Sequence, residues 1–323
     1  MSLSRAIDCI RRSKSFLVTV HANLEADALG SELAFYRLLK GMGKSVAMVN
    51  ADETPEVYKY LPGAGRIKKF NPRAKSLKAD CFAALDCSDL SRCAGVSALS
   101  RGKKILNIDH HISNRRFGDV NWVDPHASSC AEMIYRLYKK MRRPMDRDAA
   151  MAIYSGILTD TGSFRHTNTS AATHKIAGEL MEFGLDASRI YKQIYSNIPY
   201  QDLKLLLKVL PSMKLLASGK LVWFVMKRQI FRQLKDPSFD LGENVLSFGR
   251  SIKGVEVVAL FKENLGPHRE VRVNLRSQGK VDVNKIARYF GGGGHKTASG
   301  CTIKGNIDSV SKRVLAKIKE YLK

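Results

Sequence analysis

Acidic and imidazole side chains fall in four groups along the first half of the chain, and their types are those that bind divalent cations. The groups are His21, Glu25 and Asp27 in "HANLEAD", Asp86 in "ALDCSD", Asp109, His110 and His111 in "NIDHH", and Asp160 in "LTDTG". Carboxylate and imidazole without thiolate suit Mn²⁺, Zn²⁺ or Fe²⁺. The four acids Glu25, Asp27, Asp86 and Asp160 would repel one another at one point unless cations were present. Two divalent ions would neutralise them and could stabilise both the attacking and the leaving oxygen of a displacement at phosphorus.

The predicted strands explain why these groups should meet. Short β-branched or apolar runs predict strands at "SFLVTV" (15–20), "SVAMVN" (45–50), "DCFAALD" (80–86) and "KKILNID" (103–109). The first three groups lie at or just past the ends of such strands, and the carboxyl ends of parallel strands line one crevice. A single acid after a strand is ordinarily a helix cap or a turn residue, so the prediction depends on three groups at three strand ends.

Strands that alternate with helices indicate an α/β domain with a parallel sheet and helices on both faces, over residues 1–185. The helices are predicted at "ALGSELAFYRLLKGMG", "SSCAEMIYRLYKKM" and "DRDAAMAIYSGILTDTG". Residues 186–216 have a helical pattern and are predicted to link two domains. Residues 217–323 combine strands with two helices around a glycine run, which predicts a smaller α+β domain.

Composition places the chain among soluble globular proteins, with 323 residues, 44% hydrophobic and 26% charged. No apolar run is long enough to cross a bilayer, and the N-terminal segment lacks the order of features of a signal peptide. We therefore expect a cytoplasmic protein without a membrane partner. The six cysteines contain no Cys-x-x-Cys pair and are expected to be reduced and structural.

The formal net charge of +24 is spread along the chain without a basic tail. It is compatible with a solvated surface alone, and also with a positive field that attracts a polyanion or a phosphate ester. Charge by itself does not separate these two interpretations.

Together, the four motifs and their order resemble the DHH phosphoesterase superfamily, and the likeness covers nearly the whole chain. The second domain resembles the DHH-associated C-terminal domain through "VRVNLRS" (271–277) and "GGGGHKTASG" (291–300). One departure is Glu25, where the family pattern has aspartate.

The resemblance implies two divalent ions, with Mn²⁺ expected, and assigns a role to each motif residue. One ion would be held by His21, Glu25 and Asp86, and the other by Asp27, Asp86, His110 and Asp160, so that Asp86 bridges them. His111 would approach the phosphate or the leaving group, which makes it a catalytic residue with Asp86. Asp109 would orient its neighbours.

The second domain is expected to bind substrate. Arg276 and Ser277 would hold its phosphate or terminal nucleotide. A glycine run allows backbone N–H groups to approach a phosphate closely, which makes Gly292, Gly293, Gly294 and the following His295 candidate contacts. This interpretation implies a short substrate in a cleft between the domains.

Within the superfamily the chain resembles the compact nanoRNase type. This implies hydrolysis of very short single-stranded oligoribonucleotides to mononucleotides, and removal of the 3′-phosphate from 3′-phosphoadenosine 5′-phosphate to give AMP. A phosphodiesterase for linear or cyclic dinucleotides is an alternative. A more distant one is a basic nucleic-acid-binding protein without catalysis on the same scaffold. A homodimer is a further open expectation.

Overall fold

The computed structural model describes residues 3–73, 78–197, 200–233, 241–263 and 269–322, which fold as two compact units, Met1–Asn197 and Ile198–Lys323. Each unit has its own six-stranded sheet and its own buried core. The predicted linker, residues 186–216, contributes one helix to each unit. Among the described residues, no helix is both long enough and apolar enough to cross a membrane.

The first unit is built on a fully parallel sheet with the strand order β3-β2-β1-β4-β5-β6. Its strands are β1 (Ser15–Thr19), β2 (Ser45–Asn50), β3 (Lys68–Lys69), β4 (Cys81–Leu85), β5 (Lys104–Asp109) and β6 (Val120–Val123). The four predicted strands are confirmed, whereas β3 and β6 were not predicted. Because the strand order reverses direction between β1 and β4, a topological switch point lies there, where ligands bind in open α/β sheets.

Helices and a 3₁₀ segment cover the two faces of this sheet. The helices are α1 (Leu3–Arg12), α2 (Ala26–Gly41), α3 (Cys130–Met141), α4 (Arg147–Asp160), α5 (Ala171–Met181) and α6 (Ala187–Tyr195). Phe16 and Val18 of β1 face the core that α1 to α5 cover, whereas Leu17 points to the opposite face. That second face is covered by the 3₁₀ segment Leu90–Ser100, which is kinked at Ala94. The predicted parallel α/β architecture is therefore confirmed.

Helices α2 and α4 pack closely because two glycines lie at their contact. A Cβ atom added at Gly30 would lie 2.2 Å from the Ala152 carbonyl oxygen, and one at Gly156 would lie 2.6 Å from the Ala131 Cβ. The close approach brings the start of α2 next to the last turns of α4, since the added Gly156 Cβ would also lie 2.9 Å from Asp27 Oδ1. Both helices can therefore present acids to one point.

The second unit is a mixed sheet with the strand order β11-β12-β10-β9-β8-β7, in which only β8 and β9 pair in parallel among the described pairs. Its strands are β7 (Lys214–Leu216), β8 (Leu221–Met226), β9 (Val257–Glu263), β10 (Glu270–Ser277), β11 (Gly293–Gly294) and β12 (Ala298–Lys304). Its helices are α7 (Tyr200–Val209), α8 (Arg228–Phe231), α9 (Leu241–Ser251), α10 (Val283–Tyr289) and α11 (Ile307–Tyr321). Helices α10 and α11 cover one face, and α7 and α9 cover the other, as an α+β domain requires.

Candidate metal centre

Asp86 lies at the centre of the predicted cluster in the first unit. It follows β4 directly, is 4% exposed, and has a φ of 55°, which is rare and strained for a residue other than glycine. Its Oδ2 lies 3.3 Å from His21 Nε2, and its Oδ1 lies 3.5 Å from both His110 Nε2 and His111 Nδ1. Three of the predicted motifs therefore meet at one carboxylate.

The imidazoles balance the charge of Asp86. Burial opposes ionisation of Asp86, but the neighbouring imidazoles of His110, His21 and His111 hold its pKa well below the usual range. Burial likewise favours neutral His21, yet the neighbouring Asp86 carboxylate raises the pKa of His21 to about 9. His21 Nδ1 donates to the Ala22 carbonyl oxygen over 2.8 Å, which turns Nε2 towards Asp86.

His110 faces three carboxylates through a single nitrogen. Its Nε2 lies 3.5 Å from Asp86 Oδ1, 3.6 Å from Asp160 Oδ2 and 3.7 Å from Asp27 Oδ2. Burial lowers the pKa of His110, but the negative charges of Asp160, Asp86 and Asp27 outweigh it and raise the pKa well above the usual range. One ligand atom each from Asp27, His110 and Asp160 lie within 4.8 Å of one another.

The start of α3 fixes the position of Asp27. The backbone N–H groups of Cys130 and Ala131 donate to its Oδ2 and Oδ1 over 2.7 and 2.8 Å. Ser129 caps this helix by accepting from the Glu132 N–H, so the stretch "SSCAE" supplies both the cap and the two free N–H donors that a helix start leaves. Asp27 is 3% exposed, and these two backbone N–H groups hold its carboxylate in place.

The pKa values of Asp27 and Asp160 are raised, because both are buried close to other acids. Burial, followed by the negative charges of Asp86 and Asp160, raises the pKa of Asp27 well above its usual range. Burial also raises the pKa of Asp160 to about 6, with the charge of Asp86 acting in the same direction. Asp160 ends α4, and its side chain keeps 26% exposure, so it borders solvent.

His111 is oriented by a buried polar chain that starts at Asp109. His111 Nδ1 lies 2.7 Å from Asp109 Oδ1, and the Asn114 amide donates to Asp109 Oδ2 over 2.6 Å. The other ring nitrogen, Nε2, lies 3.4 Å from Arg92 Nη1. The sequence did not predict roles for Arg92 and Asn114. Arg92 contacts His111, 19 residues further along the chain, and Asn114 contacts Asp109, 5 residues before it.

Glu25 is exposed, in contrast to the other predicted ligands of its motif. It is the N-cap residue of α2, and its side chain makes no cap hydrogen bond there. Its negative charge nevertheless raises the pKa values of His21 and Asp160, as the smallest of the contributions to each, so it lies near the cluster. Its role as a ligand stays a prediction.

Two observations indicate that these side chains are suited to bind divalent cations. Asp86 Oδ1 is buried and has no hydrogen-bond partner in the described part of the chain, which is costly without a cation. The nitrogen–oxygen separations of 3.3 to 3.7 Å are longer than good hydrogen bonds. Donor atoms that bind one tetrahedral ion at about 2.1 Å lie roughly 3.4 Å apart, so these separations match a shared ion.

In the second unit, the predicted phosphate-binding residues make internal contacts. Arg276 Nη2 donates to Glu243 Oε2 over 2.6 Å, and Arg250 also contacts Glu243 at 3.0 Å. The Ser277 hydroxyl donates to the Val281 carbonyl oxygen and accepts from the Gly279 N–H, which closes a turn. Their contacts to a substrate stay predictions.

The glycine run pairs with β12, and the fold requires three of its four glycines. Gly291 has a φ of 77° and Gly294 a φ of 139°, and a Cβ at Gly292 would lie 2.2 Å from the Gly300 carbonyl oxygen. Gly293 has neither restriction, because an added Cβ would have no atom within 4 Å. The backbone of the following His295 closes the run against β12 through its N–H, which donates to the Ala298 carbonyl oxygen over 2.7 Å.

Comparison with known proteins decides the family. The model of the DHH family, N-terminal domain, matches residues 15–157, and the DHHA1 domain matches residues 239–323. The chain belongs to the DHH phosphoesterase family. The first match contains the motif residues from His21 to His111, and the second contains the strand of Arg276 and the glycine run.

Two relatives named for their enzymatic activities are similar to this chain over much of its length. The bifunctional oligoribonuclease and PAP phosphatase NrnA of Thermus thermophilus is 30% identical over 306 residues, which are 94% of this chain and 89% of the relative. The protein of the same name from Bacillus subtilis is 35% identical over 205 residues, 62% of this chain and 63% of the relative.

Solved DHH structures show the same fold. An exopolyphosphatase-related protein from Bacteroides fragilis has a TM-score of 0.87 and 26% identity, and the match covers 99% of this chain and 98% of that one. RecJ from Thermus thermophilus, solved with Mn²⁺, has a TM-score of 0.55 and 14% identity, and the match covers 99% of this chain and 53% of RecJ. The RecJ likeness is one of fold alone.

Proposed function

We propose that the chain is a two-metal-dependent phosphoesterase that hydrolyses very short oligoribonucleotides to mononucleotides. We propose that it also removes the 3′-phosphate from 3′-phosphoadenosine 5′-phosphate, which yields AMP. The activities for which the relatives from Thermus thermophilus and Bacillus subtilis are named support these substrates. The observation that carries the proposal is the meeting of His21, His110 and His111 at the buried, incompletely hydrogen-bonded Asp86.

The residues that would hold the two ions are His21, Glu25, Asp27, Asp86, His110 and Asp160, and Asp86 lies near ligands of both groups. When bound, the ions supply positive charge to the phosphoryl group and to the attacking and leaving oxygens. Ion binding would displace the protons that the imidazoles hold against these carboxylates, so we expect it to release protons and to weaken at low pH.

His111 and Arg92 act on the substrate from one side of the cluster. Asp109 holds His111 Nδ1, so only Nε2 can face the substrate. Nε2 accepts from Arg92 in this structure; with a proton bound there instead, His111 can donate a hydrogen bond or that proton to the leaving oxygen. Arg92, 3.4 Å away, adds a fixed positive charge for a phosphoryl oxygen.

A purified chain incubated with Mn²⁺ and a labelled diribonucleotide tests the proposal. Mononucleotides should appear, and a parallel reaction with 3′-phosphoadenosine 5′-phosphate should release phosphate and AMP. Absence of mononucleotide with each of Mn²⁺, Mg²⁺, Co²⁺ and Zn²⁺ would contradict the oligoribonuclease. Rates on linear and cyclic dinucleotides separate it from a dinucleotide-specific phosphodiesterase. Manganese as the physiological metal, a cytoplasmic location and a homodimer remain predictions.

A further inference from the structure

A group of aromatic and cationic side chains, of which Tyr289, Arg313 and Tyr321 are exposed, lies beside the glycine run in the second unit. Tyr289 is 66% exposed at the last residue of α10, and Tyr321 is 38% exposed at the last residue of α11. Lys317 Nζ lies 4.3 Å from the centre of the Tyr289 ring and 5.9 Å from that of Tyr321. Arg313, one helical turn before Lys317, lies 6.0 Å from the centre of the Phe290 ring. We call these five residues the aromatic strip.

The fold does not account for Tyr289. Phe290 packs against the core of α10 and α11, whereas Tyr289 is not part of that core and meets Phe290 edge to face. A large ring that is two-thirds exposed contributes little to stability through burial. It does offer a flat surface on which another ring can stack.

We propose that the aromatic strip binds the bases of a single-stranded oligonucleotide, with Tyr289 stacking on the base of a nucleotide next to the one whose phosphate contacts the glycine run. This inference rests on the proposed function and extends it to the nucleotides beyond the first. Aromatic rings that alternate with cations are the surface that binds single-stranded nucleic acid, because every base has a stacking face and every link carries a negative charge.

Two observations favour an oligonucleotide over a protein or a membrane as the occupant. Residues 201–323 carry 24 basic and only 10 acidic side chains, which favours an anionic partner. Tyr289 also lies four residues before Gly293, at most about 14 Å along the chain, so both can contact one short strand.

The experiment compares oligonucleotide binding by variants of the full chain. A pentaribonucleotide with 2-aminopurine at each position in turn is mixed with the protein in EDTA, so that it binds without hydrolysis, and its fluorescence is followed. Tyr289→Ala should weaken binding about tenfold and remove quenching at one position. Tyr289→Phe, which keeps the ring, should bind like the wild type.

Tyr200 provides a matched control. It is 67% exposed, lies at the start of α7, and has Lys204 Nζ 4.6 Å from its ring centre, so it reproduces the exposure and the cation of Tyr289 on a different helix. Tyr200→Ala should leave binding unchanged. Equal binding by the wild type and Tyr289→Ala overturns the inference and favours a protein partner, and equal losses in both alanine variants overturn it in favour of nonspecific attraction.

The phosphoesterase proposal is tested separately by turnover of the diribonucleotide. If the wild type fails to turn over that substrate but Tyr289→Ala still shows the selective loss of binding, the phosphoesterase fails and the aromatic strip stands. If turnover is normal and Tyr289→Ala binds like the wild type, the aromatic strip fails alone.

Discussion

Asp86 and Asp160 belong to the same predicted set of ligands, but their charges are balanced differently. Asp86 is surrounded by imidazoles that hold its pKa well below the usual range, whereas burial raises the pKa of Asp160 to about 6. Both are anionic at neutral pH, and neither has a Lys or Arg partner within 4.0 Å among the described residues. A bound cation is the physical reason to keep these two charges.

Substitution of either acid by asparagine should abolish turnover and spare the fold. Asp86→Asn and Asp160→Asn each remove the negative charge of one predicted ligand. Loss of a residue that only supports a metal ligand already lowers metal affinity or activity about 10- to 100-fold, so loss of a direct ligand should lower activity more than about 100-fold. Turnover of the diribonucleotide and calorimetric titration with Mn²⁺ measure this loss. Asp148→Asn on α4 changes an acid that is 37% exposed and paired with Arg37, and it should retain the wild-type rate.

The same variants separate the enzyme from a binding protein. A non-catalytic protein should bind RNA equally well or better without these negative charges. An unchanged turnover rate in both asparagine variants would show that catalysis does not require Asp86 and Asp160.

Glu25→Asp tests the position at which the chain departs from the family pattern. The glutamate carries its carboxylate about 1.5 Å further from the backbone than aspartate does, and a misplacement of about 1 Å can change a rate about 100-fold. We expect the rate or the preference among Mn²⁺, Mg²⁺ and Co²⁺ to change at least about tenfold. Glu53→Asp, at a side chain that is 77% exposed, is the control. If rate, affinity and preference all stay the same, Glu25 is not a ligand.

The sequence allowed the acids and imidazoles to be predicted because their types are rare together and each follows a strand. Arg92 could not be found this way, since an arginine is ordinary on a surface and only folding places it 3.4 Å from His111. The ion pair of Arg276 with Glu243 could not be predicted from the sequence either, because 33 residues separate the partners.

At the scale of elements, the glycine run combines positions that the fold requires with one that it leaves open. Gly293→Ala should fold normally, because its added Cβ meets no atom within 4 Å, and should raise the KM for the diribonucleotide about tenfold if the backbone there approaches a phosphate. Gly292→Ala should instead lower thermal stability, since its Cβ would lie 2.2 Å from a β12 carbonyl oxygen. Melting curves and KM values of both variants are the measurement. A wild-type KM for Gly293→Ala would place substrate away from this backbone.

The buried carboxyl of Glu32 connects helix α2 to strand β2, and its pKa should differ between the folded and the unfolded chain. Glu32 is fully buried, accepts from the Asn50 amide over 2.7 Å, and has an oxygen without a hydrogen-bond partner. Burial raises the pKa of Glu32 to about 8, with the Asn50 hydrogen bond acting in the opposite direction. Asn50 in turn accepts from the Val20 N–H beside His21, so this contact supports the loop that carries His21 and Glu25.

Because the folded pKa of Glu32 lies above its unfolded value, its contribution to stability is complete below about pH 4.5 and is lost as the pH rises towards 8. Glu32→Gln cannot ionise, so its free energy of unfolding should fall less between pH 5 and pH 8 than that of the wild type, by roughly 3 kcal/mol. Urea unfolding in EDTA across this range measures the difference. Parallel curves for the wild type and Glu32→Gln would show that Glu32 does not titrate there, and Glu53→Gln is the exposed control.

Strands and helices with clear periodicity were predictable, and short or irregular elements were not. β2 matches its predicted range, 45–50, whereas β3 has two residues and β6 has four, too few to show a pattern. The cover over the second face of the first sheet is the kinked 3₁₀ segment Leu90–Ser100, whose sequence has neither helical nor strand spacing. Tertiary packing determines such elements, so local sequence does not predict them.

For the whole molecule, the charge distribution predicts how binding responds to salt. Residues 1–200 carry 30 basic and 20 acidic side chains, while residues 201–323 carry 24 and 10, so the C-terminal part of the chain has the larger excess relative to its length. Each phosphate that a cation neutralises releases counterions, and for single strands the slope of log affinity against log salt is about −0.7 per contact. With two to three such contacts, affinity for a fluorescent pentaribonucleotide in EDTA should fall roughly tenfold between 50 and 200 mM salt. Adenosine, which has no phosphate, should bind independently of salt, and a pentaribonucleotide affinity equally independent of salt would show that the +24 charge serves solubility rather than binding.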